Sequence, residues 1–564
     1  MKKKIKRQNI TQLLLGIIII ILVNLISSFK FERFDLTSEK RYSLSQATKE
    51  LIKGLDDIVY VKVYLEGEFP AGFLRLRNAA KEMLDEFRAY SKSNIEYEFI
   101  NPSESKDART RNETYKQLTE QGLQPTTLQV NENNGRSQKI IFPGAIFSYK
   151  ERELPLQLLI QNSEMSTHPE VILNNSIQVL EYEFSNTIRK LCSSYQPKIA
   201  FIEGHGELSD MEVRDITKAL SEYYRVDRVR INGQVNSLKS YKAIIIAKPD
   251  SAFDEKDKFI IDQFIMNGGK VLWLVETVLA NMDSLISSST TLGIPNPINL
   301  EDQLFKYGVR INTNLIQDIQ ACSIPVNTAI IGNQPRWELV PWLYFPMIMP
   351  VIAHPIVNNL NAIKSEFANS IDTVRAGGIK KTILLTTSKY THLLNAPVRI
   401  SLKSINNMPD EKFFNKPFQP IAVLLEGEFQ SVFKNRIPSK IMESQDIGFS
   451  ENSPPNKMIV ISDGDIIRNQ IQQSTGRIYP LGFDRYTQQQ FGNKDFILNV
   501  VDYLCDESGL ISVRSKELKL RLLDNTKIVK KRFILQLTNV CLPVALVIIF
   551  GLVLMLLRKR KYGK

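Results

Sequence analysis

The chain has 564 residues, 43% apolar and 23% charged, with a net charge of +12. It is long enough for several cored domains and too polar to lie mostly in a membrane. Nucleic acid is excluded as a partner because the basic excess sits at the two ends. Lys2, Lys3, Lys4, Lys6 and Arg7 precede any acid, and Arg558, Lys559, Arg560, Lys561 and Lys564 close the chain; of 72 basic residues these ten leave 62 against 60 acidic ones.

Residues 1–9 read as a cytoplasmic terminus and 10–28 as a transmembrane helix built on the apolar run Ile10–Ile26. Ser27-Ser28-Phe29-Lys30 is a poor cleavage site, so the run reads as an uncleaved anchor. An N-terminal α/β ectodomain is expected over 30–195. Its elements are a helix over Gln46–Leu55 capped by Ser45, a strand over Ile58–Leu65, a helix over Leu74–Tyr90 and a strand over Ile95–Ile100. The cluster Asn131–Gly135 predicts a hairpin, and Ile177–Leu191 a connecting helix.

A doubly wound, parallel-sheet domain is expected over 196–514. Strands are predicted at Lys198–Ile202, Tyr224–Val229, Tyr241–Ala247 and Lys270–Val275, with helices at Met211–Tyr223 and Asp254–Asn267. An irregular, proline-rich insertion spans about 276–380, its aromatics either covering the sheet or meeting a partner. Strands at Thr382–Leu385, Pro420–Leu425 and Met458–Ser462 follow, and Asp495–Cys505 is the closing helix. A basic juxtamembrane linker, 515–532, leads to a second transmembrane helix over 533–557. Val540–Leu557 there lacks any charge and is about 27 Å long as a helix. The tail 558–564 is cytoplasmic by the positive-inside rule, which places both termini inside and the body outside, in the periplasm of a Gram-negative cell. Cys541 lies in this span, so at most one bridge can join two of Cys192, Cys322 and Cys505.

The turn Gly204-His205-Gly206-Glu207 lies at the carboxyl end of the Lys198–Ile202 strand, where open α/β sheets bind ligands. Its glycines suit a sharp bend. His205 and Glu207 read either as helix-capping groups or as contacts to a ligand or partner. Ser209 stands where a dinucleotide fingerprint needs its third glycine, and the turn holds no Ser or Cys nucleophile, so neither cofactor nor catalysis is expected. No metal site is expected: His168, His354 and His392 are scattered, and the acidic turn Asp463-Gly464-Asp465 reads as solvated or helix-capping. There is no Gly-x-x-x-x-Gly-Lys-Ser/Thr motif, so any ATPase must be another chain.

Arg33–Ser45, Lys198–Glu207, Ile459–Asp465 and Asn493–Arg521 together resemble the GldG family, as do Phe142–Ala145, Leu180–Phe184 and His354–Leu360. That family is the gliding-motility-associated auxiliary, substrate-binding-like component of ABC transporters in Bacteroidetes. The resemblance covers nearly the whole chain and rests on the order and spacing of these segments. It implies a non-enzymatic inner-membrane component with a polytopic permease (GldF-like) and a cytoplasmic ATPase (GldA-like) as partners, in contact with membrane lipid. It further implies that the central domain is similar to class I glutamine amidotransferase-like or intraflagellar-transport-type domains without their chemistry. The alternative is an extracytoplasmic solute- or carbohydrate-binding receptor.

Overall fold

The computed structural model describes residues 2–29, 43–132, 135–159, 169–193, 196–331, 334–350, 352, 354–358, 360–406, 409–437, 448–472, 474–506, 509–515 and 525–562. The expected features at 30–42, at His168 and at 516–524 lie outside these residues. Met1–Glu517 form one unit and Leu518–Lys564 another.

The first unit opens with α1 (Lys2–Phe29) and the short α2 (Gln46–Lys53). Ser45 caps α2 as its sequence suggests, its Oγ accepting from the Thr48 N–H at 3.1 Å. The Glu181 carboxylate accepts from the Ser45 N–H at 2.6 Å and from the Thr48 hydroxyl at 3.1 Å, which ties the cap to a distant helix. Next come β1 (Val59–Val63), α3 (Ala71–Tyr90), β2 (Ile95–Phe99) and α4 (Ala108–Glu120). The hairpin β3 (Thr126–Glu132) and β4 (Gly135–Ile141), then β5 (Gly144–Tyr149), β6 (Arg152–Gln157) and α5 (Pro169–Cys192), complete the region. The sheet runs β2-β1-β5-β6, with β1 parallel to β2 and antiparallel to β5. Alternate residues Val59, Val61 and Val63 are buried in one core with Leu84 and Phe87 of α3 and Phe184 of α5.

The second sheet is built from β7 (Lys198–Glu203), α6 (Arg214–Ser221), β8 (Arg225–Arg230), β9 (Ala243–Ala247), α7 (Glu255–Met266) and β10 (Lys270–Leu274). Beyond α8 (Glu301–Tyr307) the insertion is not irregular. It folds as β structure dominated by a long hairpin, β11 (Ala321–Ile331) and β12 (Gln334–Ile348). Prolines suggested loop, but β11 and most of β12 pair on one side only, so Pro325 and Pro341 break no second ladder. The insertion's aromatics do not cover the sheet: Trp342, Tyr344 and Phe345 are buried with Phe367 in a core separate from the two that flank it, and Trp337 stays exposed.

The chain returns through β13 (Ile379–Thr386), β14 (Pro420–Gln430) and β15 (Asn452–Ile461) to α9 (Asn493–Cys505). The sheet order is β13-β14-β15-β10-β9-β7-β8. The five strands from β15 to β8 are parallel, as the α/β pattern requires, but β14 runs against β15. Successive side chains feed two cores. Phe201, Ile245, Leu272 and Ile459 pack with α6 and α9, whereas Ile202, Ile246, Trp273 and Val460 pack with α7 and α8.

All four cysteines, including Cys192, Cys322 and Cys505, are free thiols. In the second unit, α10 (Asn525–Tyr562) contains Gln536–Arg560, 25 residues with no buried part in their most apolar stretch. At about 37 Å this segment is long enough to cross a bilayer. Among the described residues it is the one helix of that length and apolarity, and the apolar part of α1, Ile10–Leu22, falls short of it.

Trp273 is fully buried between β9 and β15. Trp273→Ala is expected to cost about 3–5 kcal/mol in denaturant unfolding, whereas Ile58→Ala, at a position 50% exposed, should stay within roughly 0.5–1 kcal/mol.

Candidate functional site

β8 and β9 flank β7 on opposite sides, so the strand order reverses there and a crevice opens beyond the carboxyl ends. Each strand delivers polar residues to this edge immediately after its apolar run. β7 ends in Gly204–Glu207, β9 in Lys248, β10 in Glu276, and β15 in Asp463 and Asp465.

His205 is buried and engaged both by its own turn and by residues about 50 positions on. Its ring stacks on Phe253 with centroids 3.7 Å apart, Nδ1 lies 3.2 Å from Glu207, and Nε2 lies 3.2 Å from Asp257. Its N–H donates to Glu207 Oε2 at 2.7 Å, and its carbonyl accepts from the N–H groups of Asp250 and Ser251, each at 3.0 Å. Gly204 turns with φ 128° against Arg230. Gly206, at φ 73°, and Glu207 line a cleft of about 300 Å³ together with Lys248, Asp250, Glu276 and Arg468. Of the four turn residues expected to bind, the structure therefore places Gly206 and Glu207 at the cleft, with Gly204 and His205 behind it.

The floor of the edge is an ion cluster. Lys248 Nζ contacts Asp465 and lies 3.2 Å from Glu276, and Arg468 bridges Asp465 at 3.4 Å and Glu212 at 2.9 Å. Asp463 accepts from the Ser365 hydroxyl at 2.5 Å and from the N–H groups of Glu366 and Asp465, each at 2.8 Å. The Gly464 N–H donates to Glu276 at 2.8 Å. A Cβ on Gly464 would stand 2.4 Å from that of Lys248, so glycine lets this turn close over the lysine.

Burial raises the Glu276 carboxyl above its ordinary range, and Asp465 and Asp463 add to this against the pull of Lys248. Burial and the neighbouring Asp465 likewise raise Asp463. Burial also acts on Asp465, but Lys248 and Arg468 outweigh it and hold that carboxyl low. Glu276, Asp463 and Asp465 are close enough together to ligate a metal ion. The ammonium of Lys248 already reaches two of them, so the chain supplies this cluster's cation itself. The sequence singled out Asp463 and Asp465 but missed Lys248, Glu276 and Arg468. The available signal was the first charged residue after each buried strand.

The family described as an ABC-type uncharacterized transport system matches residues 196–500, more than half of the chain. The chain belongs to that family. Its members are auxiliary components of ABC-type transport systems, so a permease and an ATPase are the implied partners of this one. A domain of unknown function (DUF7088) matches residues 38–148. An uncharacterized protein of Borreliella burgdorferi is 21% identical over 574 aligned positions, covering 99% of both chains. Among solved structures, the mmIFT52 N-terminal domain aligns over 55% of this transport-system component and 98% of its own length, with 12% identity and a TM-score of 0.32.

Two measurements test this edge. Gly206→Ala should lower the thermal stability of the full chain by about 1–2 kcal/mol for its left-handed backbone, with Asp250 displaced, because the new Cβ would fall 1.6 Å from Asp250 Oδ1. Glu276 and Asp463, whose carboxyls are raised in the folded chain, take up protons on folding. The stability that these two carboxyls contribute should therefore fall as pH rises from about 5 to 8, while His354 and His392, lowered by burial, pull the total the other way. The difference between the unaltered chain and Glu276→Gln should show the fall, and a difference that rises over the same interval would contradict the assignment.

Proposed function

We propose that this chain is a membrane-anchored, non-enzymatic auxiliary subunit of an ABC-type transport complex, with a large ectodomain on the far side of the inner membrane. The observation that carries the reading is the family match over 196–500, joined to a chain whose last helix has the length and apolarity of a span. In this reading α1 and α10 both cross the bilayer and both termini are cytoplasmic. The body divides near 195 into an N-terminal α/β domain and an amidotransferase-like doubly wound domain, both periplasmic. The domains are anchored at both ends, so movement of an ATP-driven permease is passed to them through 30–45 and 515–532. The absence of catalysis is supported by a turn whose histidine is already engaged by two carboxylates and a phenyl ring. The finer assignment, to gliding motility and its associated secretion with GldF-like and GldA-like partners, rests on the resemblance to GldG.

A second reading, an extracytoplasmic solute or carbohydrate receptor, draws support from the cleft at the switch point, with Gly206 and Glu207 in its wall. A ligand at 100 times its dissociation constant would add about 2.7 kcal/mol to the chain's stability.

Purified from membranes with both terminal helices intact, the chain should bring down an ATPase and a multi-span permease. Protease added to spheroplasts should digest the body, and a reporter fused after Lys564 should be active only inside. A body protected from external protease would sink the topology, and a chain that associates with no permease would sink the complex.

A further inference from the structure

One face of α10 carries polar groups that the helix itself leaves unmet. Arg558 marks the inner end of the charge-free run at Leu557. The roughly 20 residues that cross the hydrocarbon of a bilayer count back from there to Thr538. In that register Asn539 and Pro543 lie inside the apolar layer, within its first two turns, and Gln536 lies just outside it. Pro543 stands within the helix. It has no N–H, so the Asn539 carbonyl, four residues back, lacks the donor that a helix ordinarily supplies.

Other polar side chains on these helices close onto their own backbone. Thr538 donates its hydroxyl to the Ile534 carbonyl at 2.8 Å, and Asn24 of α1 donates its amide to the Ile20 carbonyl at 3.0 Å. Gln536 and Asn539 do not: both are exposed, and neither has a hydrogen-bond partner among the described residues. At the helical repeat Gln536, Asn539, Pro543 and Phe550 fall within about 60° of one another. Cys541, Ile548 and Leu552 face the opposite way.

Hydrocarbon offers no partner to an amide or a freed carbonyl, and in membranes such groups are met by a neighbouring helix. The opposite face of α10, apolar throughout, makes no such demand. A chain of this family works with a permease, and a permease supplies transmembrane helices.

We propose that the Gln536–Asn539–Pro543 face of α10 docks on a transmembrane helix of the permease, one that carries a hydroxyl or amide donor opposite the Asn539 carbonyl. The inference rests on the reading of α10 as a span within a transport complex, and it names the surface by which that span is held.

The full chain is purified from its own membranes in mild detergent, and the multi-span permease recovered with it is identified by peptide mass spectrometry. Asn539→Leu, which keeps the span apolar, should weaken that association about threefold to thirtyfold, read as recovery over a dilution series. Asn539→Gln should restore much of it, and Cys541→Leu on the opposite face should leave it unchanged. A photo-crosslinking residue in place of Phe550 should join the chain to the permease, and one in place of Leu552 should not. Equal amounts of each variant in the membrane fraction would show that the span still inserts. Permease recovery indifferent to Asn539→Leu would overturn the inference while leaving the complex standing. Crosslinks from position 552 in place of 550, or a crosslinked product made of two copies of this chain, would do the same. Recovery of no permease by the unaltered chain would overturn both.

Discussion

A strand packed on both faces has room for a polar side chain only at its ends. All five residues of β9 are buried, and β7 and β10 are buried except at their margins. Helices α6 and α9 close one face of the sheet and α7 and α8 the other. Polar groups are therefore driven to the strand termini, and the parallel direction of β15, β10, β9 and β7 brings their carboxyl termini to one edge. The charged cluster follows from that packing.

Gathering three acids in a dry place is costly unless cations meet them. Lys248 and Arg468 do so, and Asp465, which touches both, keeps its charge while Asp463 and Glu276 hold protons more tightly. The same cross-links join β9, β10, β15 and the loop after β15, so the edge is held as a fixed platform. Local chemistry is spent on holding shape, as it is at His205.

The N-terminal region uses the same device on a smaller scale. Glu181, inside the Leu180–Phe184 segment, reaches across to the cap of α2, so a carboxylate far away in sequence completes a helix start. The β11–β12 hairpin solves a different problem. It keeps an aromatic core around Trp342 and Phe367 and still leaves Trp337 in solvent.

Periodicity made much of this architecture legible. The alternation in Val59–Val63, the capped helices after Ser45 and Asp254, and the apolar strands from Lys198 to Leu274 each depend on neighbours a few residues apart, so local pattern suffices. The charge-free stretch ending at Leu557 is equally local, because a bilayer span is defined by length and composition. The insertion was misjudged because proline marks loops only on average, and a one-sided ladder tolerates it. Lys248, Glu276 and Arg468 are ordinary charged residues along the chain, separated by tens to hundreds of positions. Only the folding of parallel strands side by side makes them neighbours. Tertiary structure likewise decided that His205 turns inward onto Phe253 while Gly206 and Glu207 face the cleft, since that choice belongs to residues about 45 and 50 positions away, Asp250 and Phe253.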